Sequence, residues 1–469
     1  MQDTIVIALP RAQRWSSFPM WSFRALLVLL CSLVTVEPAW CQLPGPKAKG
    51  KATPPVTAPK AAPQAPKIDS ETLPADYVPP REKDKLLEII APIALPDEMD
   101  KLKKDDGKFQ PALNRALSDD ASKTAIRNGI RYRLAQMCLE KNLQTENLKE
   151  LSRLHLDLLR AINGAGGAAR ELKPEALKEF RRFVMQEFVK QATPLLENNL
   201  YVREQVVIMM GELELVQEDA KKGLLTEAYT PAFDPLVKTI LDPKQPESVK
   251  LLAVNALTRI LKIGTPNVNE RTRIAEALIA ELARTESHWW YQMRLAGALG
   301  SVALDQLKQP IVVTALKGVV IDTKREWSVR TEAAMSLGRV PVPPSSDPVS
   351  VVRAVAELAL QLAKAVQQQP GDPKWKTEFW KVYLAFRPFN DKDKDAAKAG
   401  KAGLLNNAVT AGPAQAPYAL IVPMVSTLLK GGPITAAMVS ALEAWVKANP
   451  PAGAAPNPAP VKPEGPPAQ

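Results

Sequence analysis

The chain is poor in the residues that build most catalytic and metal centres. Its 469 residues include only 3 Cys and 2 His, which excludes a disulfide framework and leaves little for a zinc site made of His and Cys. No zinc-protease, Cys-x-x-Cys, EF-hand or nucleophile-elbow motif occurs. The glycines of 164–167 lack the Lys-Ser/Thr that a phosphate-binding loop requires. We therefore expect no cofactor, no metal and no enzymatic activity.

Hydrophobic runs long enough to cross a membrane are also missing. An apolar segment of 12 residues, 25–36, follows Arg24, whereas a membrane-spanning helix needs about 20. A basic flank and a short apolar segment predict a secretory signal peptide over 1–41, with cleavage after Cys41. Met20 is a candidate true start, because it gives a more compact signal. The alternatives are an uncleaved N-terminal membrane anchor and a chance apolar segment. We expect an exported protein of the periplasm or cell envelope, or a secreted one.

Proline and positive charge are concentrated outside the centre of the chain. Residues 42–81 hold 10 Pro, and 449–469 hold 8; both stretches are predicted to be disordered. Of the net charge of +11, five charges lie in 42–67, one lies in 1–41, and +5 remains for the other 402 residues. So weak an excess of positive charge argues against nucleic acid as a partner. The Lys-rich linker suits either a flexible spacer or contact with an anionic membrane or cell-wall polymer.

The body between these stretches, 82–448, shows helical periodicity, and four of its segments share one pattern. Small or apolar residues stand three, four and seven positions after a marker residue, and Gly or Thr stands at the eighth. Small residues allow neighbouring helices to approach, and Gly is expected to end the helix. Another amphipathic segment precedes each marker, so one unit is a helical hairpin of roughly 40 residues. The markers are the second residues of the pairs Val202-Arg203, Val249-Lys250, Tyr291-Gln292 and Val329-Arg330.

This pattern resembles the HEAT repeat family. The resemblance is most specific where an Asp lies eight positions before a basic marker, as in Asp242 with Lys250 and Asp322 with Arg330. It implies an all-α fold, an α–α superhelix of the HEAT or armadillo-like solenoid type, in which such Asp and basic residues form a ladder between units. Gln292 departs from the pattern, so we expect the ladder to be broken there. The repeats are clearest over 190–340, and flanking hairpins extend the array over 82–448.

Two aromatic groups are candidates for contact with a partner. Trp289 and Trp290 begin one marked helix, and Trp327 begins the next. They are read either as residues that cover the turns between helices or as a recognition surface. A second group shares one helical face and is read as a core stripe or as a platform for a peptide or a sugar ring. It consists of Trp375, Phe379, Tyr383 and Phe386, with Trp380 beside it.

These observations favour a non-catalytic, exported scaffold that binds another protein in the cell envelope. Two alternatives remain open at this point. One is a HEAT-like module that binds nucleic acid or another polyanion, which needs a basic groove. The other is an enzyme with an unrecognised carboxylate site, which needs two carboxylates that converge in a pocket.

Overall fold

The computed structural model describes residues 88, 96–169, 171–219, 223–303, 310–387 and 403–450. All of them belong to one compact unit, 78–469. The predicted signal peptide (1–41) and linker (42–81) lie outside the described residues, as does the predicted tail beyond Pro450.

Most of the described residues are helical and very few form strands, which confirms the predicted all-α fold class. In chain order the helices are α1 (Pro96–Asn114), α2 (Asp120–Met137), α3 (Glu140–Leu143), α4 (Leu148–Asn163), α5 (Pro174–Ala192), α6 (Leu200–Glu212), α7 (Phe233–Leu241), α8 (Glu247–Ile263), α9 (Val268–Leu282), α10 (Trp289–Leu299), α11 (Ile311–Ile321), α12 (Trp327–Leu337), α13 (Pro348–Gln368), α14 (Lys374–Phe386), α15 (Ala411–Leu429) and α16 (Ala436–Ala448). None of these helices is both long and apolar enough to cross a membrane.

From α6 onward, alternate helices form two rows. In the inner row, α6, α8, α10, α12 and α14 pack one against the next, and in the outer row α7, α9, α11, α13 and α16 do the same. Consecutive helices such as α9 and α10, or α11 and α12, also pack together as hairpins. Each helix therefore buries its apolar face mainly against its neighbours, an arrangement compatible with a solenoid.

Each of the four marked segments forms a helix of the inner row. The residues three, four and seven positions after each marker are buried, as Ala333, Ala334 and Leu337 are in α12. The preceding amphipathic segments form helices of the outer row from α7 onward. The pattern therefore indicates which side of each inner helix faces the core.

Two glycines of the pattern end their helices as predicted, but not through a special backbone conformation, and Gly211 lies inside α6. Gly300 and Gly338 end their helices with φ values of −63° and −69°, which any L-residue adopts. What they provide is room for the next inner helix. A Cβ on Gly300 would lie 2.7 Å from the Ser336 hydroxyl oxygen, and one on Gly338 would collide with the backbone carbonyl of Ala385. The inner helices thus approach one another almost at backbone contact.

A short β-hairpin between α6 and α7 was not predicted. Strand β1 (Glu214–Val216) pairs antiparallel with β2 (Glu227–Ala228). Ion pairs join it to helices on either side, because Glu214 lies 2.9 Å from Arg259 and Glu227 lies 2.7 Å from Lys178. Strands of three and two residues are too short for alternation of apolar and polar residues to reveal them.

Cys138, which follows α2, provides a simple test of the core. Its side chain is buried, and burial raises the pKa of the thiol to about 12. Because the thiolate is the reactive form, we expect no alkylation of Cys138 by iodoacetamide at pH 8 in the folded protein and rapid alkylation in denaturant. Mass spectrometry of the peptide that contains Cys138 measures both. Rapid alkylation in the folded protein would contradict this placement.

Candidate interaction surface

Trp289 and Trp290 lie at the start of α10 and are unusually exposed. Their exposed fractions are 42% and 40%, whereas Trp is highly buried on average. His288 caps the helix, since its ring Nδ1 accepts a hydrogen bond from the Trp290 backbone N–H at 3.2 Å. The backbone N–H of His288 donates to the Glu247 carboxylate at 3.1 Å. The Arg294 guanidinium lies 5.4 Å from the Trp290 ring centroid. The start of the helix is therefore ordered, and a large part of each indole remains exposed to solvent.

Trp327, the third predicted contact residue, has a different environment. It is only partly exposed, and its ring meets that of Trp375 edge-on, with centroids 6.1 Å apart. The guanidinium of the buried Arg330 lies 4.9 Å from its ring centroid. Trp327 thus packs between the starts of α12 and α14, as expected of a residue that covers a turn. Of these three Trp residues, only Trp289 and Trp290 are exposed enough to contact a partner.

The second aromatic group divides into buried and partly exposed members. Trp375, Phe379 and Phe386 are buried, as expected of a core stripe. Tyr383 is partly exposed and is stacked on Trp380 with ring centroids 5.0 Å apart, while Tyr418 of α15 lies 6.1 Å from Tyr383. We call Trp380, Tyr383 and Tyr418 the aromatic platform.

The acidic residues of the predicted ladder mainly bind within their own turns, although Asp242 also interacts electrostatically with Arg203 of the preceding unit and Asp322 with Arg330. Among the described contacts, neither Asp242 nor Asp322 forms an ion pair with the basic marker eight positions later. Each instead accepts a hydrogen bond from the backbone N–H two residues ahead, at 2.9 Å from Lys244 and at 3.1 Å from Lys324. Asp322 also binds the Arg325 guanidinium at 3.1 Å. These carboxylates stabilise their own turns, as Asp commonly does in turns.

The markers themselves connect each unit to the next. The predicted break at Gln292 is wrong, because its amide oxygen accepts from the Arg325 guanidinium of the following turn at 2.8 Å. An amide supplies the acceptor that a basic marker lacks, so the polarity of the bond is reversed and the link is kept. The full set of links is Arg203 to Gln245 at 3.3 Å, Lys250 to Glu281 at 2.7 Å, Gln292 to Arg325 at 2.8 Å, and Arg330 to Gln361 at 2.6 Å.

Two carboxylates converge on one lysine in the inner row, which the sequence did not reveal. Lys381 Nζ of α14 lies 3.5 Å from a Glu332 oxygen of α12 and 3.6 Å from a Glu378 oxygen. It also reaches the Met293 sulfur of α10 at 3.7 Å. The Ser328 hydroxyl donates to Glu378 at 2.7 Å. This cluster links three inner helices. Its two acids and one base give the cluster a net negative charge.

No group of three or more His, Cys, Asp or Glu side chains is placed to hold a metal ion within the described part of the chain. No family model matches the sequence, and no curated protein matches it significantly. The HEAT resemblance therefore depends on the repeat pattern, the two helical rows and the links between units.

Proposed function

We propose that the protein is an exported, non-catalytic HEAT-like scaffold that binds another protein in the cell envelope. The observation that carries this proposal is the exposed pair Trp289 and Trp290 on an inner helix. The hairpin unit, the neighbour-to-neighbour contacts and the cross-unit links support the HEAT-like architecture.

The Trp pair has the physical properties of an interface anchor. Trp, Tyr and Arg are enriched among the residues that dominate binding energy, and here Arg294 stands beside the two indoles. The cap formed by His288 and its bond to Glu247 order the start of the helix before any partner arrives. Little conformational entropy is then lost on binding, which favours affinity.

The proposed export is tested at the N-terminus. If residues 1–41 are a cleaved signal, the native protein begins with Gln42-Leu43-Pro44. N-terminal sequencing of protein from a cell-envelope or culture-medium fraction measures this. A native chain that retains 1–41 and is recovered from the cytoplasm would contradict export and favour the nucleic-acid alternative.

Binding is tested with the double variant Trp289→Ala/Trp290→Ala. Val268→Ala is the matched control, because Val268 is 65% exposed but begins an outer helix. We expect wild type and the control to capture the same protein from an extract of the native source. The double variant should capture at least about 30-fold less, since an anchor Trp is worth roughly 2 kcal/mol or more. Quantitative mass spectrometry measures the capture.

Two further measurements make the result decisive. Thermal melting shows that the double variant is folded, as expected for side chains that are so exposed. Equal capture by all three proteins would refute the role of the Trp pair. Capture that disappears after nuclease treatment would favour the polyanion alternative.

A further inference from the structure

We propose that the aromatic platform binds the chain's own C-terminal tail, residues 451–469, as a polyproline II helix. Aromatic surfaces recognise Pro-rich segments because a polyproline II helix is already extended and loses little entropy on binding. This surface is distinct from the Trp pair proposed above to bind a partner.

The platform consists of three neighbouring, partly exposed aromatic rings. Its rings are separated by steps of 5.0 Å, from Trp380 to Tyr383, and 6.1 Å, from Tyr383 to Tyr418. One turn of polyproline II has three residues and rises about 9 Å. All three rings are partly exposed, and beneath them the buried Phe386 lies 6.0 Å from Tyr418. The rings therefore offer adjoining apolar contacts on a rigid base.

The tail carries a matching pattern. Pro460, Pro463 and Pro466 are three residues apart, so they fall on one face of a helix with three residues per turn. Two successive prolines of that face are then about 9 Å apart. Gly453 and two alanines precede this run and allow the chain to change direction before it.

The C-terminal tail also begins close to the aromatic platform. Helices α15 and α16 pack together and are joined by only six residues, 430–435, so they run antiparallel. Tyr418 lies eleven residues before the end of α15, and Lys447 lies eleven after the start of α16. Both therefore lie at the same end of the hairpin, on the order of 10 Å apart, and the tail leaves α16 there.

The length of the tail and its high effective concentration near the platform favour the chain's own tail over a separate molecule. The 19 residues of 451–469 reach about 59 Å as polyproline II, far more than the distance between neighbouring helices. A short tether gives an effective concentration on the order of millimolar. Even weak contacts between proline and aromatic rings are then enough to keep the platform occupied by the tail.

The experiment is photo-crosslinking in the complete chain. Val461→p-benzoylphenylalanine places a crosslinker between Pro460 and Pro463, and Val56→p-benzoylphenylalanine is the matched control in the other Pro-rich stretch. We expect crosslinks from position 461 to peptides 376–387 or 411–423 of the same molecule, at a yield that does not change with dilution. Position 56 should give no crosslink to these peptides. Peptide mass spectrometry identifies the products.

A tail variant tests the role of the proline face. We expect Pro460→Ser/Pro463→Ser/Pro466→Ser to lower the crosslink yield by about tenfold, because the ring contacts are lost. Circular dichroism should show unchanged helix content, so unfolding cannot explain the loss. An unchanged yield would overturn the proposal, and so would crosslinks only to other surfaces. Crosslinks between two molecules would overturn the assignment to the chain's own tail.

Discussion

Replacing Lys250 by Met is expected to destabilise the protein by about 3 kcal/mol or more. The side chains of Lys250 and Glu281 are 3% and 4% exposed, and their charged atoms are 2.7 Å apart. Without Lys250, the Glu281 carboxylate stays buried, and Arg284, at 3.6 Å, is its one remaining ionic partner among the described residues. Because an uncompensated buried charge is costly, the free energy of unfolding in urea should fall.

Two further variants separate this effect from a general loss of lysine. Lys238 forms an ion pair with Asp234 but is 73% exposed, so Lys238→Met should change the free energy of unfolding by less than about 1 kcal/mol. Lys250→Met/Glu281→Leu removes both buried charges and should recover most of the lost stability. Equal losses for Lys250→Met and Lys238→Met would contradict the buried link between α8 and α9.

The second large effect is expected at Gly338, where one added methyl group should cost roughly 1–3 kcal/mol. The backbone at Gly338 has φ −69°, so Ala adopts it without strain. The new Cβ, however, would collide with the Ala385 backbone in α14. A backbone carbonyl cannot rotate away as a side chain can, so α12 and α14 must move apart.

Gly318 provides the matched control, because it has no heavy atom within 4 Å of an added Cβ. It lies inside α11, where Gly→Ala should stabilise the helix by about 0.5–1 kcal/mol. The two substitutions add the same methyl group and should shift the melting temperature in opposite directions. A rise in melting temperature for Gly338→Ala would show that α12 and α14 do not approach as closely as described.

Local periodicity was enough to predict the inner helices that carry the repeated pattern. The apolar spacing around Arg203, Lys250, Gln292 and Arg330 places the inner helices correctly, because it reflects which side of each helix is buried. The resemblance supplied the expectation of links between units. It did not identify the hydrogen-bond partners, because a side chain's hydrogen bonds depend on which groups the neighbouring unit presents. Gln292 shows this most clearly, since an amide forms a link that a search for basic residues rejects.

The surface was less predictable than the core. Trp289, Trp290 and Trp327 have similar positions at the starts of their helices, yet only the first two are exposed. The difference arises from Trp375, which covers Trp327 and lies 48 residues further along the chain. The cluster of Glu332, Glu378 and Lys381 likewise depends on two inner helices that meet only in the folded chain.

The links from unit to unit also determine which helices unfold locally first. In a row whose contacts join mainly neighbours, an end helix can detach without disturbing the middle, whereas a central helix is released only when two interfaces break. We therefore expect backbone amides of α8, α10 and α12 to exchange with solvent deuterium more slowly than those of α16. The local stability of the two helical rows is then expected to fall from their centre towards their ends.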